Sequence, residues 1–513
     1  MKNELSPGGM EGLQEAYIAR HRDLNGDMSG RLEAQAYLNT STAVYHGDII
    51  GVGFIPKIYD MAALRFLDTV VNRTYTILEK NPRRFLEDES YRRLFGFSPL
   101  LERLICLPTG YPCTIPIMRM DIFLNEKTFG FKFCEFNTDG TSAMNEDREA
   151  GSALKRSEVY RGLERELKLA SQELFDGWVD GFLEIYRTSE QAVDNPTVAI
   201  VDFTDSASMN EFIEFAHRFG RQGYRCIICD VMDLEYDHGV LYTQNILTDV
   251  LPGGRRADGG NDSSPTNKRV RIDAIYRRAV TGEIVAALEK DADVRKGAGA
   301  LVSAIEDKAV CMIGGFMTHI AHCKPLFALL HHPATAAFLN TEENDFIREH
   351  IPYTALLRAD TVDLEAIKAG KDDWIIKPED GYASKGVHAG RDHDEADWAN
   401  LIDKCSKQRY IVQSYCEQYA TPNSRIVPVD SGFKPLFDDS ESWLAAGTGY
   451  DPAKLDAWNN LTGLYAYNGR FGGLFVRAGR AGIIAGFAGG MTLAAMLGDY
   501  DPDAGLALRV ASA

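Results

Sequence analysis

The chain has 513 residues, 45% hydrophobic and 25% charged, the balance of a globular protein with room for about three domains. Its net charge of −19 excludes a general nucleic-acid binder, which needs a basic stripe to displace counterions. A few locally gathered cations would still admit ATP. No apolar run reaches bilayer length; the nearest, Ala481 to Leu497, is short and rich in Gly and Ala. The N-terminal segment lacks an apolar signal core, and the nine cysteines follow no framework spacing, so a cytoplasmic setting with free thiols is expected.

In chain order, Met61 to Leu78 and "YRRLFGFSPLLERLI" carry apolar residues at helical spacing. Two strands follow, "IPIMRMDIFL" and "FKFCEFN", joined by the hairpin-like link "NEKTFG". One long amphipathic helix is expected within Glu146 to Tyr186. After Pro196, "TVAIVDF", the helical "SASMNEFIEFAHRFGRQG" and "YRCIICDV" form a βαβ unit, which implies a parallel sheet. "VRIDAIYRRA" reads as a further strand. The segment near 252–269 is dense in Gly, Asp, Asn and Ser and predicts a surface loop. The last third returns strands at "WIIKP", "RYIVQSY", "LTGLYAYNG" and "GGLFVRAG". Cys226 and Cys229 lie three apart on a strand and therefore face opposite sides, which argues for core thiols rather than zinc.

Alternation along the hairpin puts Arg119 and Asp121 on one face of their strand, and Glu135 and Asn137 on one face of theirs. If the faces meet, one wall displays two carboxylates, an amide oxygen and a guanidinium. Oxygen ligands of this kind suit Mg²⁺, which keeps water and phosphate in the rest of its shell. The plainer alternative is a surface hairpin closed by a salt bridge. The second cluster is "DDWIIKPEDGYASKGVHAG". A buried strand delivers Lys377, Pro378 stops it, and Gly381, Ser384, Lys385 and Gly386 form a loop. Glycines let a backbone pass close over phosphate while lysines supply charge. Walker and G-x-G-x-x-G spacings are both absent. Downstream, "RYIVQSYCEQY" leads a buried strand to Gln413 and Glu417, whose end offers hydrogen bonds to an adenine edge. Here the alternative is a hairpin with a Gly-rich turn and an exposed lysine.

Taken in order, these motifs resemble the glutathionylspermidine synthetase family. The matches are "RMD", "EFNTDGTS", "MIGGFMTHIAHCKPLFALLHHP", "IIKPEDGYASKGV", "YIVQSY" and "GRFGGLFVRAG". The resemblance implies a mixed α/β fold, a circularly permuted ATP-grasp with a βαβ pre-ATP-grasp-like domain. It divides the chain into 1–190 with the metal and acyl-substrate strands, 191–345 as the βαβ domain, 346–420 as the ATP lid and 421–513 as the rest of the catalytic domain.

The implied activity is an ADP-forming carbon–nitrogen ligase acting through an acyl phosphate. Its partners would be ATP, Mg²⁺, a small-molecule or peptide carboxylate and an amine, with polyamines among the candidates; no nucleic acid or membrane is implied. A silent nucleotide-binding relative and a small-molecule kinase are the alternatives. Carried over residue by residue, Asp121, Glu135 and Asn137 would hold metal, and Arg119 would face the transferring phosphoryl group and the acyl oxygens. Ser142 would bind the acyl substrate. Lys324, Lys377, Lys385, Gly386, Gln413 and Arg477 would bind the nucleotide.

Gly140 replaces a usual serine, and "HCK" replaces the usual serine–asparagine–lysine run at Lys324, which counts against glutathione as the acid. No cysteine precedes Cys106, so an N-terminal amidase is not expected. His319, His322, His331 and His332 read as a helix with partly exposed histidines. Arg277 and Arg278 end a strand of the parallel sheet and are weaker candidates, followed by Asp202 and Asp205.

Overall fold

The computed structural model describes residues 9–45, 48–256, 269–291, 293–381, 385–426, 451–484 and 489–511. Ser384 and residues 257–268 of the expected surface loop lie outside the described residues. The fold is mixed α/β.

In chain order, helix α1 (Met61–Leu78) precedes the hairpin β1 (Ile117–Leu124) and β2 (Phe131–Asn137). Helices α2 (Met144–Leu154) and α3 (Phe175–Arg187) follow. The single long helix expected here is thus broken. Ser157 caps a separate short helix over Glu158–Leu163 by accepting from Tyr160 N, Lys168 turns with φ 46°, and Ala170–Glu173 is a strand.

Next come β3 (Thr197–Asp202), α4 (Met209–Arg221), β4 (Arg225–Asp230), β5 (Thr248–Leu251), β6 (Arg255–Arg256), β7 (Ala274–Arg277), α5 (Thr281–Lys290), β8 (Cys311–Ile313) and the single turn α6 (His319–His322). The last part supplies β9 (Thr354–Leu356), β10 (Trp374–Pro378), β11 (His388–Ala389), β12 (Tyr410–Ser414), β13 (Asp456–Tyr467), β14 (Arg470–Gly479) and β15 (Met491–Leu493).

Three sheets position the site. The central one is antiparallel, ordered β15-β14-β13-β1-β2. The second is ordered β6-β5-β4-β3-β7-β8, with β4, β3, β7 and β8 parallel, as the βαβ pattern requires. The third is a small antiparallel sheet, β9-β12-β10-β11. Trp178 of α3 joins the first two sheets, its ring lying 5.3 Å from Tyr276 of β7 and 5.9 Å from Tyr467 of β13. Cys226 and Cys229 enter different cores from opposite faces of β4, and both are free thiols.

Strand β2 carries a bulge. Phe133 pairs with Ile122 and Glu135 with Asp121, so Cys134 is an extra residue with no partner across the ladder. The apolar parity shifts with it: Phe131, Phe133 and Phe136 all enter one core. Strict alternation would turn Cys134 away from Glu135, but the bulge lets both line the same cleft.

Candidate functional site

The hairpin register sets Arg119 opposite Asn137 and Asp121 opposite Glu135. Arg119 forks onto Asp121, donating Nε to Oδ1 at 2.7 Å and Nη2 to Oδ2 at 3.0 Å. Asp121 is 1% exposed and also accepts from Arg477 Nη2 at 3.0 Å and Asn137 Nδ2 at 3.3 Å. The Asn137 amide donates a second bond to Glu135 Oε1 at 3.3 Å. The neighbouring strands make room for this cluster. A Cβ at Gly463 of β13 would stand 2.7 Å from Arg119 Cδ and 2.9 Å from Asp121 Oδ1. Phe475 of β14 lies under both guanidinium groups, at 5.3 Å from Arg119 and 5.6 Å from Arg477.

Lys377 reaches this wall from the third sheet. Its Nζ donates to the Cys134 carbonyl at 3.1 Å, across 243 positions of sequence, and to Gln413 Oε1 at 2.8 Å. Gln413 is held in turn by donating Nε2 to Thr354 Oγ1 at 2.9 Å. Lys324 stands at the same end, where its Nζ donates to the Gly381 carbonyl at 2.8 Å. Burial pushes the Glu135 carboxyl up, but Lys324, Arg477, Lys377 and Arg119 outweigh it and hold the group down at about 2. Glu135 is therefore the anion on which cations from three distant parts of the chain converge.

Glu135, Lys377, Gln413 and Arg477 open onto one cleft between the central and third sheets. Its apolar walls include Phe123, Ile375, Leu461 and Ile484. An apolar lining with a few convergent polar groups is that of a small-molecule site. Lys385 is exposed and outside the cleft lining. Gly386 turns with φ +72°, where a Cβ would meet Tyr410 Oη at 2.8 Å. Ser142 presents its backbone: the carbonyl accepts from Arg119 Nη1 at 2.9 Å and Tyr465 Oη at 2.7 Å. Gly463, Tyr465 and Phe475 escaped the sequence reading; a glycine and two aromatics inside strands carry only a packing signal.

The loop after β2 is bolted to the parallel sheet. Asp139 pairs with Arg277, each side chain 1% exposed, and accepts from Thr281 N at 2.7 Å. Arg277 also donates to the carbonyls of Gly314, Ala279 and Gly315. Arg278 donates to Glu211 Oε1 at 2.8 Å, while Glu211 Oε2 accepts from Met144 N at the start of α2. Both arginines are thus buried struts. At Gly140 φ is +66° and a Cβ would stand 2.8 Å from the Arg278 carbonyl, so the serine usual in the resembled family does not fit here. Burial lifts Asp202 to about 7, against the pull of Arg278, and Asp205 is exposed.

His331 and His332 are half-buried, as the helical reading expects, but His319 and His322 are buried. A one-turn helix gives no periodicity from which that burial could be read.

Among the described residues no three His, Cys, Asp or Glu gather as a metal-ligand set, and no helix is long and apolar enough to cross a membrane. Asp121, Glu135 and Asn137 supply two carboxylates and an amide. That suits Mg²⁺, which binds through one or two carboxylates plus substrate phosphates.

No family model and no curated protein matches the chain. Among solved structures it is similar to a glutathione synthetase-like effector from Globodera pallida in its apo form. The identity is 10% and the TM-score 0.47, over 92% of this chain and 96% of that one. It is also similar to a D-cycloserine synthetase, at 16% identity and TM-score 0.24, over 43% of this chain and 59% of that one. Both scores fall below 0.5, and the functional reading rests on the side chains instead.

Proposed function

We propose that the chain is an ATP- and Mg²⁺-dependent carboxylate–amine ligase of the permuted ATP-grasp kind, acting like the glutathionylspermidine synthetases. The observation that carries this reading is the meeting of Glu135 and Lys377 in one cleft with an apolar wall. In this reading residues 1–190 and 421–513 form the catalytic domain, 191–345 the βαβ domain and 346–420 the lid.

The adenine lies among Ile375, Leu461 and Ile484, near the end of β12. Lys377, positioned by Gln413, and Lys324 hold phosphates. Asp121, Glu135 and Asn137 hold Mg²⁺, which when bound neutralises charge on the phosphates. Arg119 and Arg477, already fixed by Asp121, face the charge that develops during transfer; a fixed guanidinium needs no reorganisation at that moment. The acid binds beside the 138–142 loop, and the amine attacks the acyl phosphate to release phosphate.

An ADP-release screen over amino acids, small peptides and polyamines, in acid–amine pairs with ATP and Mg²⁺, tests this reading. ADP release that needs both partners is expected. Release with the acid alone would make the protein a kinase. Nucleotide binding with no release for any pair would make it a nucleotide-regulated binding protein.

A further inference from the structure

The turn after β14 is fastened to the third sheet through one glycine. The Gly482 carbonyl accepts from Gln418 Nε2 at 2.8 Å and from Tyr415 Oη at 3.3 Å, and its N–H donates to Asp392 Oδ1 at 3.3 Å. Tyr415 and Gln418 follow β12, and Asp392 follows β11. A Cβ at Gly482 would stand 3.0 Å from Asp392 Oδ2 and 3.3 Å from Ala389 Cβ, so the close approach favours a residue without a side chain.

Tyr415 is held from behind. Its N–H donates to the Asp373 carbonyl at 2.7 Å, and the Arg391 guanidinium lies 4.3 Å from its ring centroid. Arg391 is fixed in turn, with Nε donating to the Asp372 carbonyl at 2.7 Å and Nη2 paired with Glu417 Oε1 at 2.6 Å. The Tyr415 hydroxyl therefore reaches Gly482 from a ring that is already fixed.

What the clasp positions is one wall of the cleft. Gly482, Ile483 and Ile484 line it from the central-sheet side, Ile375 and Val387 line it from the third sheet, and Tyr415 and Gln418 line it themselves. Strand β14 ends at Gly479, so this wall lies beyond the ladder. We propose that Tyr415 and Gln418 are positioning residues for the nucleotide base. Through Gly482 they hold the Ile483–Ile484 turn against the base, opposite Ile375 and Val387. This rests on the nucleotide site of the ligase reading above. A wall fixed before the base arrives need not be ordered on binding, and that saving appears as affinity. The phosphate end is held separately, by the bonds of Lys377 Nζ to Gln413 Oε1 and the Cys134 carbonyl.

The test uses the full chain and compares wild type with the double variant Tyr415→Phe, Gln418→Met, which removes both donors and keeps the ring and the chain length. Equilibrium binding is measured in Mg²⁺ for two probes, a non-hydrolysable ATP analogue and inorganic tripolyphosphate, which carries the phosphate end alone. The double variant is expected to bind the analogue about tenfold or more weakly, with tripolyphosphate within about twofold. Each single variant should show part of the loss. Unchanged analogue binding in the double variant would overturn the proposal. So would equal loss of both probes, which marks a structural role, or a wild type that binds tripolyphosphate as tightly as the analogue, which leaves the base no grip. A wild type that binds neither probe fails at the ligase reading itself, and the clasp's role falls with it.

Discussion

Glu135→Gln is expected to lower ADP formation by about 10³-fold or more while leaving the fold intact by circular dichroism. Glutamine keeps the volume and one oxygen but removes the charge. Glu135 is the anion that Lys324, Arg477, Lys377 and Arg119 all face. Without it, all four cations lose a shared counter-charge, and the neighbouring Asp121 is already engaged by Arg119 and Arg477. The effect should appear in both kcat and kcat/KM, because the lost group acts on charge in the transition state. The pH dependence has a definite sign. A folded carboxyl held at about 2, against its usual 4.5, contributes stability above the unfolded value. That contribution is lost as pH falls from about 4.5 through about 2. An acid titration of the wild type should show this loss, and Glu135→Gln should not. Near-wild-type ADP formation in the variant would remove Glu135 from the site.

Arg277→Met should cost about 3–5 kcal/mol in chemical denaturation. It removes the guanidinium partner of Asp139 and leaves a carboxylate, 1% exposed, with Thr281 N and the His319 ring as its remaining neighbours. The Gly314, Ala279 and Gly315 carbonyls lose a donor as well. Replacing both partners, in Asp139→Asn with Arg277→Met, should cost less than the two single changes added together, since no unpaired charge remains. Arg277 holds the Asp139 carboxyl well below the usual range against the opposing effect of burial, so the pair should survive mild acid. Simple additivity of the two changes would show that they act independently.

How much of this was legible in the sequence depended on the range of the interaction. The hairpin was readable because "NEKTFG" separates two apolar strands, and its alternation set the correct pairs of residues on each face. The bulge was also written there. Phe131 and Phe133 are two apart, but Phe136 is three beyond Phe133, and only an extra residue keeps all three in one core. Strict alternation missed it and would turn Cys134 away from the cleft. The βαβ unit was readable from β-branched runs flanking an amphipathic helix.

What the sequence could not show is that β1 pairs with β13, more than three hundred positions later. Local pattern carries no information about such closure. Gly463, Tyr465 and Phe475 depend on that pairing, which is why they went unseen. Arg277 and Arg278 were placed at the right strand end, as weaker candidates with a surface role as the alternative, and each instead pairs with a buried carboxylate. The carboxylate partners lie on other elements, so spacing could not reveal them.

The central claim is that one nucleotide bridges the hairpin wall and the Lys377 strand. A crystal structure with a non-hydrolysable ATP analogue and Mg²⁺ tests it most directly. The expected density has a base against Ile375 and Leu461, phosphates at Lys377 and Lys324, and a cation between Glu135 and the phosphates. Nucleotide seated in another cavity, or a soaked crystal with this cleft unchanged at saturating analogue, would contradict it.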